Sequence, residues 1–307
     1  MCFLRIESAL DKALAKNEKR YKLKVDTKIV IFSDIHRGLG DWADDFMHNA
    51  LIFANALEFY CRDDFTYIEL GDGDELYENR HYADIVRAHG NIFRLLDKFH
   101  QEKRLCYIIG NHNLQMGNKK WLEKALDEAR THIAGLFHDI EIYETAMIGD
   151  KIFLFHGHQG DFINDSLVPV GRFFVRYFWR PRQNLCGWKD PTSPAQSIKK
   201  QNKVELGIIK WARKNRMVAV AGHTHRPIFM SLSKQQNLAG METEPYYFNS
   251  GSGVHPRCVT CLEIRDMMIS LVKWHIIADP DDNGRLKVVR EPLHGCMADL
   301  LDVFGSL

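Results

Sequence analysis

Five short apolar runs, each closed by glycine or by a polar residue of a kind that binds metals or moves protons, limit what this chain can fold into. They are KIVIFSD (28–34), FTYIELGD (65–72), RLCYIIGN (104–111), KIFLFHG (151–157) and MVAVAGH (217–223). Their β-branched and aromatic content suits strands buried on both faces. Stretches with helical spacing lie between them: Met47, Leu51, Ala54 and Leu57; then Ile85, Ile92, Leu95, Leu96 and Phe99; and a third over 118–134. Strands alternating with helices predict a layered α/β fold. Towards the C-terminus YYFNSG, CVTCLEI and ISLVKWHII follow one another without clear helices, which predicts hairpin-like pairing.

Two segments stand outside this alternation. Residues 1–26 are an N-terminal extension whose amphipathic stretch, from Phe3 to Arg20, predicts a helix packed on the outside. The rest, 27–307, holds the five runs and a long insertion at 160–215, which carries VGRFFVRYFWRPR and then the more polar SIKKQNKVELGIIKWARKN. The 307 residues, 45% hydrophobic and 26% charged, can bury a polar site without outside help. With 41 Lys and Arg against 40 Asp and Glu the net charge is +1, so charge gives no reason to expect a specific nucleic-acid partner. No apolar run is long enough to cross a bilayer, although peripheral contact with a membrane remains compatible. Seven scattered cysteines, with no secretory leader ahead of them, predict free thiols in a cytoplasmic setting. The close pair Cys258 and Cys261 has no second pair at zinc-ribbon spacing.

Each of the five runs delivers its polar residues at or just past its C-terminal end, the edge at which open α/β sheets bind ligands. They are Asp34 and His36 in SDIH, Asp72 in GDGDE, Asn111 and His112 in GNHN, His156 and His158 in FHGHQGD, and His223 and His225 in GHTH. Carboxylate, imidazole and amide oxygen together suit a divalent ion such as Mn²⁺, Fe²⁺ or Zn²⁺. The glycines beside them, Gly71, Gly110, Gly157 and Gly222, allow backbone to approach the site closely. Asp74 and Glu75 stand next to Asp72 and are read as support for it, and His158 and Asp161 either as support and substrate contacts or as parts of a hydrogen-bonded turn.

The ordered series SDIH, GD, GNH, HGH and GHTH, followed by NSGS at 249–252, resembles the calcineurin-like metallophosphoesterase superfamily from Thr27 to Val254. The resemblance implies a four-layer α/β/β/α sandwich of two mixed sheets flanked by helices. It implies two divalent ions, Mn²⁺ being the first expectation: Asp34, His36 and His225 on one, Asn111, His156 and His223 on the other, and Asp72 bridging both. It further implies a binuclear phosphoric ester hydrolase that cleaves a phosphate ester or pyrophosphate bond by attack of a metal-bridging hydroxide, with His112 protonating the leaving oxygen. The family's carboxylate after that histidine is replaced by Asn113.

The insertion resembles the lid of the UDP-diacylglucosamine pyrophosphatases, which carry arginine where His112 stands here. Arg172, Arg176 and Arg180 recur at four-residue steps and would form one basic stripe on a helix, either a solvated face or a set of phosphate contacts in a lid. The substrate expected is thus a phosphorylated small molecule or one linked to a lipid or nucleotide. A protein Ser/Thr phosphatase and a non-catalytic metal-binding scaffold remain the alternatives.

Overall fold

The computed structural model describes residues 2–160, 198–233, 244–279 and 283–307. The described residues form two mixed sheets of seven strands. In the first, β2 (Ile29–Phe32), β3 (Thr66–Leu70), β4 (Leu105–Ile108) and β5 (Ile142–Tyr143) run parallel. Beyond β2 it continues antiparallel through β12 (Cys258–Arg265), β13 (Met268–Ala278) and β14 (Leu286–Asp299). The second sheet has the order β1 (Lys19–Tyr21), β6 (Thr145–Ile148), β7 (Ile152–Phe155), β8 (Val218–Ala221), β11 (Tyr247–Asn249), β9 (Ile228–Phe229) and β10 (Leu232–Ser233). Within it β7, β8 and β11 are parallel neighbours.

The period-two alternation of a strand sorts the side chains into layers. On β2, Ile29 and Ile31 join Ile68, Leu70, Ile108, Leu154 and Val220 in an apolar layer between the sheets. Val30 and Phe32 point the other way, with Tyr67 and Tyr107, against helices α2 (Ala50–Arg62), α3 (Tyr82–Ala88), α4 (Gly90–Gln101) and α5 (Lys119–Ala129). On the far side Phe153, Phe155, Ala219 and Tyr247 pack against α1 (Cys2–Ala15) and α6 (Ile198–Asn215) through Ile6, Leu10, Ile208 and Trp211. A short α7 (Leu300–Gly305) adds Leu300 and Val303 to the layer between the sheets. The architecture is therefore the expected four-layer α/β/β/α sandwich. Each fully buried Ile or Phe contributes roughly 1.5–3 kcal/mol, so both strand faces being apolar is what holds four layers together.

All five apolar runs are strands, namely β2, β3, β4, β7 and β8, and the C-terminal hairpin pairs β12 with β13. Three features differ from the sequence reading. The N-terminal extension is more than a helix, because β1 pairs in parallel with β6. The helical stretch from Ile85 to Phe99 is broken at His89 into α3 and α4. A 14-residue edge strand, β14, also follows β13.

Candidate metal centre

Because β2, β3 and β4 are parallel neighbours, their carboxyl ends open on one edge, with Asp34 and His36, then Asp72, then Asn111 and His112 in the loops beyond them. His156 follows β7, and His223 and His225 follow β8, in the other sheet. Backbone hydrogen bonds carry the strand pairing on into these loops: Asp34 N donates to Gly71 O at 3.1 Å, His36 N to Asp72 O at 2.9 Å and Gly222 N to His156 O at 2.9 Å. His223 N donates across the sheets to Asp34 Oδ2 at 2.9 Å. Two glycines make room for this convergence. A Cβ on Gly110 would lie 2.1 Å from Asp72 Oδ1, and one on Gly222 would lie 2.4 Å from Asp34 Oδ2.

Ligand-type atoms of Asp34, His36 and His225 lie within 4.8 Å of one another, and so do those of Asp72, His156 and His223. A third group, His36, Asp72 and His112, overlaps the first two. His36 Nδ1 lies 2.7 Å from Glu75 Oε2, an atom that only accepts, so that nitrogen carries the hydrogen. Its Nε2 lone pair then faces His225 Nε2 at 3.2 Å, and His225 Nε2 also lies 3.2 Å from Asp34 Oδ1. His156 repeats the pattern: Nδ1 donates to Leu70 O at 2.9 Å and Nε2 is aimed at Asp72 Oδ2 at 2.9 Å. Lone pairs converging on one another repel unless a cation or a proton sits among them. Asn111 Oδ1 is buried at the same edge with no hydrogen-bond partner, which costs free energy until something binds it.

The electrostatics agree with this geometry. Burial opposes the charged form of Asp34, but His225 and His156 outweigh it and bring the carboxyl down to about 2. Burial likewise opposes protonation of His156, and the Asp72 and Asp34 carboxylates overcome it, raising the imidazole to about 9. The carboxylates thus favour a proton on His156, whereas burial holds His225 below the ordinary imidazole value.

His112 lines the same cleft, its ring centroid 4.6 Å from that of His36. Its Nδ1 lies 2.8 Å from Glu75 Oε2, the oxygen that also accepts from His36. Against the cost of burial, Glu75 and Asp72 push His112 up to about 9. The carboxylate missing at position 113 is thus supplied three residues after Asp72, by Glu75. Asn113 serves its own turn instead: its side-chain oxygen accepts from Gly110 N at 2.7 Å. The spacing D-G-D-E was the signal for Glu75, but only the loop's path shows that one carboxylate holds two imidazoles.

The segment 249–252 buttresses the ligand loops. Asn249 Nδ2 donates to Gly222 O at 2.8 Å, and Ser252 Oγ donates to Asp34 O at 2.8 Å. Behind the site the fully buried Arg37 meets Glu69 and Asp74, so Asp74 supports the loop without ligating. His158 is buried with its ring centroid 5.5 Å from that of His156, and it belongs to none of the three ligating groups. Asp161, Arg172, Arg176 and Arg180 lie outside the described residues.

No protein-family model matches the chain. No curated protein matches it either. Among solved structures it is similar to a protein serine/threonine phosphatase from Saccharomyces cerevisiae, described as having similarity to human phosphatase PP5. The two share 13% identity and a TM-score of 0.35, over 94% of this chain and 88% of that one. An overlap that low assigns no function; any assignment has to come from the site's own side chains.

Proposed function

We propose that the chain is a phosphoric ester hydrolase that works with two divalent metal ions, Mn²⁺ first among them. The observation that carries this reading is the convergence of two ligating groups, Asp34, His36, His225 and Asp72, His156, His223, at a cleft that Asn111, its buried Oδ1 without a partner, also lines. Asp34, His36 and His225 would hold one ion and Asn111, His156 and His223 the other, with Asp72 between them. The donor set of carboxylate, imidazole and amide oxygen, with no cysteine in the groups among the described residues, fits such ions. When bound, a pair of dications neutralises phosphoryl oxygens and acidifies water.

The chain's own residues supply the rest. His36 and His156 are held in one tautomer by Glu75 and Leu70 O, so each offers Nε2 inward. His112, with Nδ1 held by Glu75, keeps Nε2 for a proton that a leaving oxygen needs. The aromatic and arginine-rich composition of 168–189 supports a small phosphorylated substrate, or one linked to a lipid or nucleotide, over a protein.

The test is hydrolysis of p-nitrophenyl phosphate and its bis ester with added Mn²⁺, by the parent and by Asp72→Asn. Hydrolysis of at least one ester is expected, lost on chelation and lowered at least about 100-fold in the variant. A parent that binds two ions yet cleaves neither ester would favour the scaffold reading.

A further inference from the structure

Arg37 follows the ligand His36 directly and is fully buried, as are Glu69 and Asp74, the two carboxylates that meet it. Its Nη2 and Nη1 donate to the two oxygens of Glu69 at 2.9 and 3.3 Å, and its Nε donates to Asp74 Oδ1 at 2.8 Å. The hydroxyl of Tyr107 closes the ring, donating to the other oxygen of Asp74. Backbone bonds run alongside: Arg37 N donates to Gly73 O at 2.9 Å, and Glu75 N donates to Arg37 O at 3.0 Å. The guanidinium lies so close under the 71–75 loop that a Cβ on Gly73 would come within 2.6 Å of it.

Burying three charges seldom gains stability over an apolar cluster of the same shape, and what such a group does give is a fixed registry. Here the registry is between two ligand loops. Glu69 lies on β3 itself, a rigid reference. Asp74 lies two residues after the bridging candidate Asp72 and one before Glu75, which holds His36 and His112. A planar fork that grips both carboxylates therefore fixes how far the 71–75 loop stands from the 34–37 loop.

We propose that Arg37 is a positioning residue of the metal centre, setting the spacing between the Asp34–His36 loop and the Asp72–Glu75 loop so that one carboxylate spans both ions. This rests on the binuclear reading above. Neither Arg37 nor Asp74 belongs to a ligating group.

The test uses Mn²⁺ alone, with binding followed by calorimetry and the pair followed by electron paramagnetic resonance. The parent is expected to take up two ions with an exchange-coupled spectrum. Arg37→Met is expected to keep its circular dichroism, bind the second ion about 10- to 100-fold more weakly and show the spectrum of isolated ions. Asp74→Asn, which leaves Arg37 on Glu69 and weakens only the grip on the loop, is expected to show the same loss of coupling. Unchanged coupling and affinity in either folded variant would overturn the proposal and leave the binuclear reading standing. If neither variant folds, the network serves stability and the proposal is likewise overturned. A parent that binds no manganese overturns both readings together.

Discussion

Asp34, His36, Asp72, His223 and His225 hold φ between 51° and 66°, so five of the seven ligand candidates sit in the left-handed region. Such a backbone costs on the order of 1–3 kcal/mol per residue, and Asp and His are among the few side chains that tolerate it. The left-handed step turns each side chain back over the strand end from which it came, where it meets its counterparts from the other sheet. Residue types and spacing name the ligand candidates; the backbone state they adopt and the double role of Glu75 depend on how neighbouring loops run and are not legible there. His112 shows the consequence. Read with Asn113 alone, it lacks a carboxylate; held by Glu75, it has one. His112→Ala should leave Mn²⁺ stoichiometry intact and lower turnover about 10²- to 10⁴-fold on an alkyl phosphate, whose poor leaving group needs a proton. The loss should be smaller on p-nitrophenyl phosphate, whose leaving group does not. Equal losses on both esters, measured side by side, would remove His112 as the acid.

At the scale of elements, the five runs that read as strands are ones buried on both faces, although β6, equally buried, is too short a run to stand out. The strands β2, β3, β4, β7 and β8 are short, continuous and apolar, and all five were visible. β14 was not, because an edge strand with one partner needs no apolar alternation: only Cys296 along its 14 residues is buried. The parallel pairing of β1 with β6 joins residues over a hundred positions apart, which no local pattern encodes. Helix α6 has a link of the same long-range kind. Its Gln201 donates to Thr224 O at 2.9 Å, and its buried Glu205 accepts from Thr224 Oγ1 at 3.0 Å and from Arg226. Thr224 and Arg226 flank His225, so the helix that closes the insertion is tied to a ligand loop. Glu205→Ala should lower the stability measured by urea unfolding by about 2 kcal/mol, since it strands a charge-assisted partner. An unchanged midpoint would show that the tie carries no weight.

At the scale of the whole molecule, a net charge of +1 conceals how unevenly the charge is placed. The strands β2 and β3 with residues 33–37 and 71–75 bury Asp34, Glu69, Asp72, Asp74 and Glu75 against the single guanidinium of Arg37, a formal charge of −4 with the imidazoles counted neutral. Composition averages this away, and only the layering, which brings parallel strand ends to one place, concentrates it. Two divalent cations would balance that charge, and the unfolded chain, with the same residues scattered, offers no comparable site. Cations that bind the native state alone stabilise it by mass action, by about 2.7 kcal/mol per site at a free concentration one hundred times Kd. Thermal unfolding should therefore shift upward with added Mn²⁺ and return to the starting value with excess chelator. The shift should shrink in Asp72→Asn, which removes the carboxylate placed between the two groups. It should persist in His112→Ala, because the proposed ligand set leaves that ring out. A melting temperature indifferent to Mn²⁺ in the parent would mean that the convergent lone pairs are met by protons alone, and the metal centre would have to be given up.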